Sequence, residues 1–161
     1  MDFDIREAHI EDMDQVSRLV QELADFEKES HEVEVTAQHL KADGIGDNPL
    51  FHCFVAEKAD KIVGIALVYP RYSTWKGPVI HLEDLIVTQE MRGKGLGTAL
   101  LDAVVQYAAE QNVKRISWEV LDWNEPAIQF YESKGAKVMR DWDVVQLNAN
   151  GIQNYLENID A

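Results

Sequence analysis

The stretch "HLEDLIVTQEMRGKGLGTALL", residues 81–101, places a carboxylate and a glycine-rich turn on one short run of chain. Gly93, Gly95 and Gly97 alternate with other residues just ahead of a helix-like segment. Glycine at that density lets backbone N–H groups approach an anion closely and adopt positive φ. A helix that begins there adds free donors and a partial positive charge. Arg92 and Lys94 add full charges. Upstream, Glu83 lies in the apolar run "VIHLEDLIV", where burial is expected to make its carboxyl a stronger base. Asp84, its neighbour, is expected on the opposite strand face with a structural role.

Three anion-binding templates can be tested on the glycines. The P-loop requires G-x-x-x-x-G-K-[ST], and "GKGLGT" has no such Lys-Thr pair. The dinucleotide fingerprint G-x-G-x-x-G fails in register, because its last position falls on Thr98 or Leu100. The pattern R/Q-x-x-G-x-G/A is met in register by Arg92, Gly95 and Gly97. A glycine-rich turn with no ligand remains open on the motif alone.

The elements that must position these groups follow from periodicity. Short strands are expected at 3–8, 50–58, 61–70, 79–87, 114–121 and 142–148. Helices are expected at 11–28, 36–44, 97–111 and 126–134, with a terminal helical turn after 151. The strands at 50–58 and 61–70 form a hairpin through Ala59–Asp60, and 71–78 reads as loop. The strand at 79–87 is apolar on both faces and therefore central. The class is α/β: a mixed central sheet flanked by helices, in a single domain over residues 1–161.

Composition excludes several classes. Acids outnumber bases 29 to 15, for a net charge of −14. That field disfavours nucleic acid and anionic membranes and favours cations. No apolar run approaches the length of a membrane span, and the N-terminal residues lack signal-peptide character. The expectation is a cytoplasmic protein. The single cysteine, Cys53, rules out an internal disulfide framework and reads as a small core residue. His9, His31, His39, His52 and His81 show no ligand spacing, and no metal is expected. His81 shares a strand face with Glu83 and reads first as a satisfied core histidine.

The segments "ELADFEK", "DGIGDNPLFHCFVAE", "YSTWKG", "HLEDLIV", "RGKGLGTALL" and "WNEPAIQFYESKGA" together resemble the GCN5-related N-acetyltransferase (GNAT) superfamily, and within it the spermidine/spermine acetyltransferase family. The likeness runs from about Ile5 to Leu147. It implies the GNAT fold, acetyl-CoA as cosubstrate and a homodimer with shared active sites. It implies that the pyrophosphate sits on Arg92, Gly93, Lys94, Gly95, Leu96, Gly97 and Thr98. The pantetheine arm would lie along the backbone of Leu85, Ile86 and Val87 like an added strand. Asn124, Pro126, Ala127 and Tyr131 would complete the cofactor contacts.

The same resemblance makes Glu83 the general base and Tyr131 the general acid. By spacing alone Tyr131 would be a core aromatic. Asn124 can also cap the helix that follows it. Substrate is implied near Phe26, Glu27, Glu83, Ser117, Trp118 and Glu119, with Trp75 available to stack on a cation or to pack in a dimer. Polyamine-acetylating members place an aspartate two residues before that tryptophan, where this chain has Ser73. "STW" resembles the branch that acetylates thialysine and related amines. A small cationic primary amine of thialysine or diamine type is therefore expected, ahead of spermidine or spermine and ahead of a sensor that binds without turnover.

Overall fold

The computed structural model describes residues 2–159, which fall into two compact units, one ending at Glu119 and the other starting at Val120. The first holds one five-stranded sheet: β1 (Asp4–Glu7), β2 (His52–Lys58), β3 (Lys61–Ser73), β4 (Gly77–Val87) and β5 (Ile116–Ser117). The strands lie in sequence order, antiparallel from β1 to β4, with β5 parallel to β4. The mixed sheet and its flanking helices agree with the class expected from the sequence.

Each face of the sheet is covered for a local reason. Helix α1 (Met13–Phe26) sets Met13, Val16 and Leu19 at helical spacing against Cys53, Val55, Ile65, Leu67 and Ile86. Helix α2 (Ala37–Gly44) adds Leu40 to that core. Thr36 caps α2, its hydroxyl accepting from the His39 N–H at 3.3 Å. Arg6 clamps the entry to α1. Its guanidinium takes both carboxylate oxygens of Asp12, at 2.8 and 3.1 Å, and holds that carboxyl below the usual range.

On the other face lies α3 (Leu96–Glu110), with Leu96, Leu100, Leu101, Val104 and Ala108 buried. A Cβ on Gly64 would stand 3.0 Å from Leu100 Cδ1 and 3.2 Å from the Ile86 carbonyl, so only glycine lets α3 lie this close to β3.

The Ala59–Asp60 hairpin is as expected, with both residues at positive φ (49° and 62°). Three expectations differ from the structure. The loop read at 71–78 is mostly strand, because β3 runs on to Ser73 and β4 starts at Gly77, with Ser73 pairing with Gly77. The strand read at 114–121 shortens to Ile116–Ser117.

The second unit carries α4 (Glu125–Ser133) and α5 (Ala149–Ile159). The strand expected at 142–148 does not form: these residues have no regular structure, and Trp142, Val144, Val145 and Leu147 are exposed. Their β-forming side chains find no ladder partner among the described residues.

Replacing Gly64 with valine should force α3 off the sheet and cost about 2 kcal/mol or more of unfolding free energy. Urea denaturation of the variant checks this; unchanged stability would contradict the close packing.

Candidate active site

The position of Glu83 is set by an irregularity in the β3–β4 ladder. Leu82 pairs with Val68 and Asp84 pairs with Leu67, so Glu83 is an extra residue with no cross-strand partner. This is a β-bulge, which breaks strict alternation and re-aims side chains. Leu67 and Tyr69 are two apart on β3 and share a face. Their partners are Asp84 and His81. Asp84 therefore lies on the same face as His81, contrary to the expectation from simple alternation. The Tyr69 hydroxyl donates to Glu83 Oε1 at 3.1 Å, which brings Glu83 to that face as well.

The bulge also changes which carboxyl is buried. The Glu83 side chain is 52% exposed, so burial in a central strand is not what conditions it. Asp84 carries that burden. Desolvation, then the charges of Glu83 and Glu27, push its carboxyl up to about 6. Glu27, just beyond the end of α1, is also raised, by burial first and then by Glu29 and Glu83. Glu27, Glu83 and Asp84 thus form one electrostatically coupled acidic group. Glu119 adds to it, its charge reaching both Tyr69 and His81.

Behind Glu83 a row of side chains crosses three strands. Tyr69 on β3 pairs with His81 on β4, which pairs with Ser117 on β5. His81 Nδ1 lies 2.9 Å from the Ser117 hydroxyl and 3.4 Å from Arg71 Nη1. His81 Nε2 lies 4.0 Å from Glu83 Oε1. Burial lowers the His81 pKa, keeping the ring neutral at pH 7. Ser117 is therefore engaged with His81. Trp118 is half-buried beside it, and Trp75 stands 79% exposed in the β3–β4 turn. That turn is held by the Ser73 hydroxyl, which accepts from the N–H groups of Trp75 and Lys76, each at 3.1 Å.

Beyond the bulge, β4 offers an open edge. It pairs with β5 at Ile80 and His81 alone, so Leu85, Ile86 and Val87 bond β3 on one side and have no described ladder partner on the other. The glycine turn follows. Gly93 and Gly95 take φ of 76° and 87°, which side chains resist. The first intrahelical bond of α3 runs from the Ala99 N–H to the Gly95 carbonyl, and no side chain caps the helix. The N–H groups of Leu96, Gly97 and Thr98 are thus free of intrahelical acceptors.

Arg92 Nε donates to the Val87 carbonyl at 3.1 Å, and its guanidinium lies 5.3 Å from the centre of the Phe26 ring. The Thr88 hydroxyl donates to Glu22 Oε1 at 2.9 Å. Two contacts thus tie the end of α1, with Phe26 and Glu27, to the turn.

In the second unit the Asn124 side chain caps α4, accepting from the Ala127 N–H at 3.4 Å, with Pro126 in the first turn. Tyr131 lies on α4 with its ring 5.5 Å from that of Phe130.

The residues that sequence reasoning missed are Tyr69 and Arg71. Both precede a stretch rich in turn-forming residues, and nothing local marks their pairing with β4.

The strand expected to be central is thus next to the sheet's edge, flanked by β5 over two residues and open beside the glycine turn that starts α3. Residues 14–136 match the model of the acetyltransferase (GNAT) family, and the chain belongs to that family. Among its relatives, the thialysine N-epsilon-acetyltransferase of Mus musculus is 40% identical over 141 residues, covering 83% of each chain. The spermidine/spermine N(1)-acetyltransferase-like protein 1 of Homo sapiens is 39% identical over 141 residues, 83% of this chain and 20% of that protein. An integron cassette protein from V. cholerae shares the fold, with a TM-score of 0.80 at 22% identity, covering 98% of this chain and 99% of that one. The chain is an acetyltransferase, and GNAT acetyltransferases use acetyl-CoA as cosubstrate.

Asp84 makes a test of this electrostatic account. Its folded pKa, about 6, lies above the ordinary 3.8, so the folded state holds the proton more tightly than the unfolded chain between those values. Stability from this group therefore falls as pH rises through that window. The Asp84→Asn variant should be more stable than the parent at pH 8, by about 1–3 kcal/mol. The difference should fade toward pH 4. Thermal denaturation of both across pH checks the sign; a variant less stable at pH 8 would contradict it.

Proposed function

We infer that the chain transfers the acetyl group of acetyl-CoA to a primary amine of a small cationic molecule, of thialysine or diamine type. The observation that carries this reading is the coupled acidic group of Glu27, Glu83 and Asp84 at the bulge, beside the open edge of β4. Three carboxylates that feel one another's charge attract a cation, and the thialysine N-epsilon-acetyltransferase of Mus musculus is 40% identical over the aligned residues. The whole of residues 1–161 is read as one catalytic domain; the family match runs across the boundary at 119/120.

The chain's features suit acetyl-CoA. Two glycines at positive φ and three free N–H groups at the start of α3, with Arg92 and Lys94, fit a pyrophosphate. The open edge at Leu85–Val87 fits an amide-bearing arm that bonds as a strand would. When bound, the cosubstrate supplies a thioester whose acetyl carbon accepts the amine.

Glu83 acts as general base. At neutral pH an alkylammonium is protonated, so a proton must leave nitrogen before attack. Oε1 of Glu83 is held by Tyr69, and Oε2 accepts no protein hydrogen bond among the described residues, which leaves it to take that proton. A new C–N bond forms as the C–S bond breaks. Tyr131, assigned from the family pattern, gives its hydroxyl proton to the departing sulfur. Glu27, Asp84 and Glu119 neutralise the rest of the substrate's charge, and Trp75 and Phe26 offer aromatic faces. Asn124, Pro126 and Ala127 are read as cofactor contacts at the start of α4.

The relative named for spermidine and spermine supports a second reading, a polyamine acetyltransferase. Ser73 favours the first: its hydroxyl is spent on the hairpin turn and carries no charge for a distal ammonium. The exposed Trp142, Val144, Val145 and Leu147 support a homodimer.

A thiol-release assay with acetyl-CoA and thialysine, lysine, a short diamine, spermidine and a peptide tests this. Turnover should be highest with thialysine or the diamine. Highest turnover with spermidine would support the polyamine reading, and none with any amine would remove the enzymatic one. Arg92→Ala should raise the KM for acetyl-CoA about 10-fold or more, measured in the same assay.

A further inference from the structure

His81 stands directly behind the carboxylate proposed as the base. Its side chain is 7% exposed, and its two ring nitrogens face different surroundings. Nδ1 meets Arg71 Nη1 at 3.4 Å and the Ser117 hydroxyl at 2.9 Å. A guanidinium is a donor with no acceptor. An N–H on Nδ1 would point at that donor, so Nδ1 carries its lone pair and the Ser117 hydroxyl donates to it. In a neutral imidazole the proton then resides on Nε2, the nitrogen 4.0 Å from Glu83 Oε1.

We propose that His81, fixed by Arg71 and Ser117 as the Nε2–H tautomer, is a positioning residue for Glu83. The arrangement rests on the reading of Glu83 as the base. Tyr69 O–H at 3.1 Å and His81 Nε2–H at 4.0 Å converge on one oxygen, Oε1. A small rotation of the carboxylate, or one bridging water, closes the longer gap. Tyr69 on Oε1, with His81 Nε2–H behind it, orients the carboxylate and leaves Oε2 as the proton acceptor.

The charges around this pair act in a consistent direction. Arg71 from β3 opposes a second proton on His81, and burial opposes it more strongly. Glu83 and Glu119 favour that proton, and the ring remains neutral against them. Tyr69 is held protonated by burial and by Glu83, so it stays a donor. Glu27 and Asp84 face Glu83 from the end of α1 and from its own strand, and both resist ionisation beside it. No group is oxidised or transferred in this role; His81 keeps its proton throughout.

Two readouts test the proposal. The first is the long-range 1H–15N NMR spectrum of the histidine ring in the full-length protein, free of ligands. It should show His81 with a protonated Nε2 and a bare Nδ1. In Arg71→Met the restraint on Nδ1 is gone, and a mixture of tautomers or an imidazolium should appear near neutral pH. A protonated Nδ1 in the parent protein, or an unchanged single tautomer in Arg71→Met, overturns the assignment.

The second readout is the pH profile of kcat/KM for the amine. His81→Phe should move the acid limb to higher pH by about one unit, because the carboxylate loses a donor. His81→Gln, whose amide can donate from nearly the same place, should return the limb toward the parent. Thermal denaturation of each variant confirms folding, and a limb that does not move in a folded His81→Phe overturns the positioning role. If Glu83→Gln kept full turnover, the base reading would fall, while the tautomer would still be decided by the spectrum.

Discussion

The site depends on one extra residue in a strand. The β-bulge at Glu83 interrupts the β3–β4 ladder at the level where β4 also parts from β5. Without it, Glu83 and Asp84 would alternate across the sheet, one on the α1 face and one on the α3 face. With it, both carboxylates lie on the α1 face, Glu83 reaching solvent and Asp84 remaining largely covered. Two adjacent acids thereby receive different tasks from environment alone. The exposed one is held by hydrogen bonds; the covered one resists ionisation and adds to a field that attracts cations.

The surrounding structure serves that geometry. Gly64 lets α3 lie close to the sheet, which fixes where the glycine turn starts the helix. The Thr88–Glu22 hydrogen bond and the Arg92–Phe26 contact tie the turn to the end of α1. The groups read as holding the cosubstrate and those read as meeting the amine are therefore mechanically linked within the first unit. The apparent conflict of an anion-binding turn in a chain of net charge −14 resolves locally: oriented N–H groups and two basic side chains in the turn that follows β4, carboxylates at the bulge within it.

Much of this was legible in the sequence because it is local. The glycine run, the apolar stretch of β4, the hairpin at Ala59–Asp60 and the cap at Asn124 each follow from residues close together in the chain. What escaped is non-local. A bulge leaves no compositional trace, so alternation placed Asp84 on the wrong face and left Glu83 buried. Arg71 and Tyr69 preceded a segment rich in Ser, Thr, Gly and Pro, and their role comes from register with β4. The residues at 142–148 have the side chains of a strand, but a strand needs a partner, and none of the described residues provides one.

The central claim is that the bulge divides the labour of two adjacent carboxylates, and the most direct measurement compares their neutral isosteres. Turnover of the preferred amine at saturating acetyl-CoA should fall about 100-fold or more in Glu83→Gln. Asp84→Asn should keep kcat within a few-fold and weaken chiefly the KM for the amine. The reverse pattern, with kcat lost in Asp84→Asn and kept in Glu83→Gln, would contradict the account.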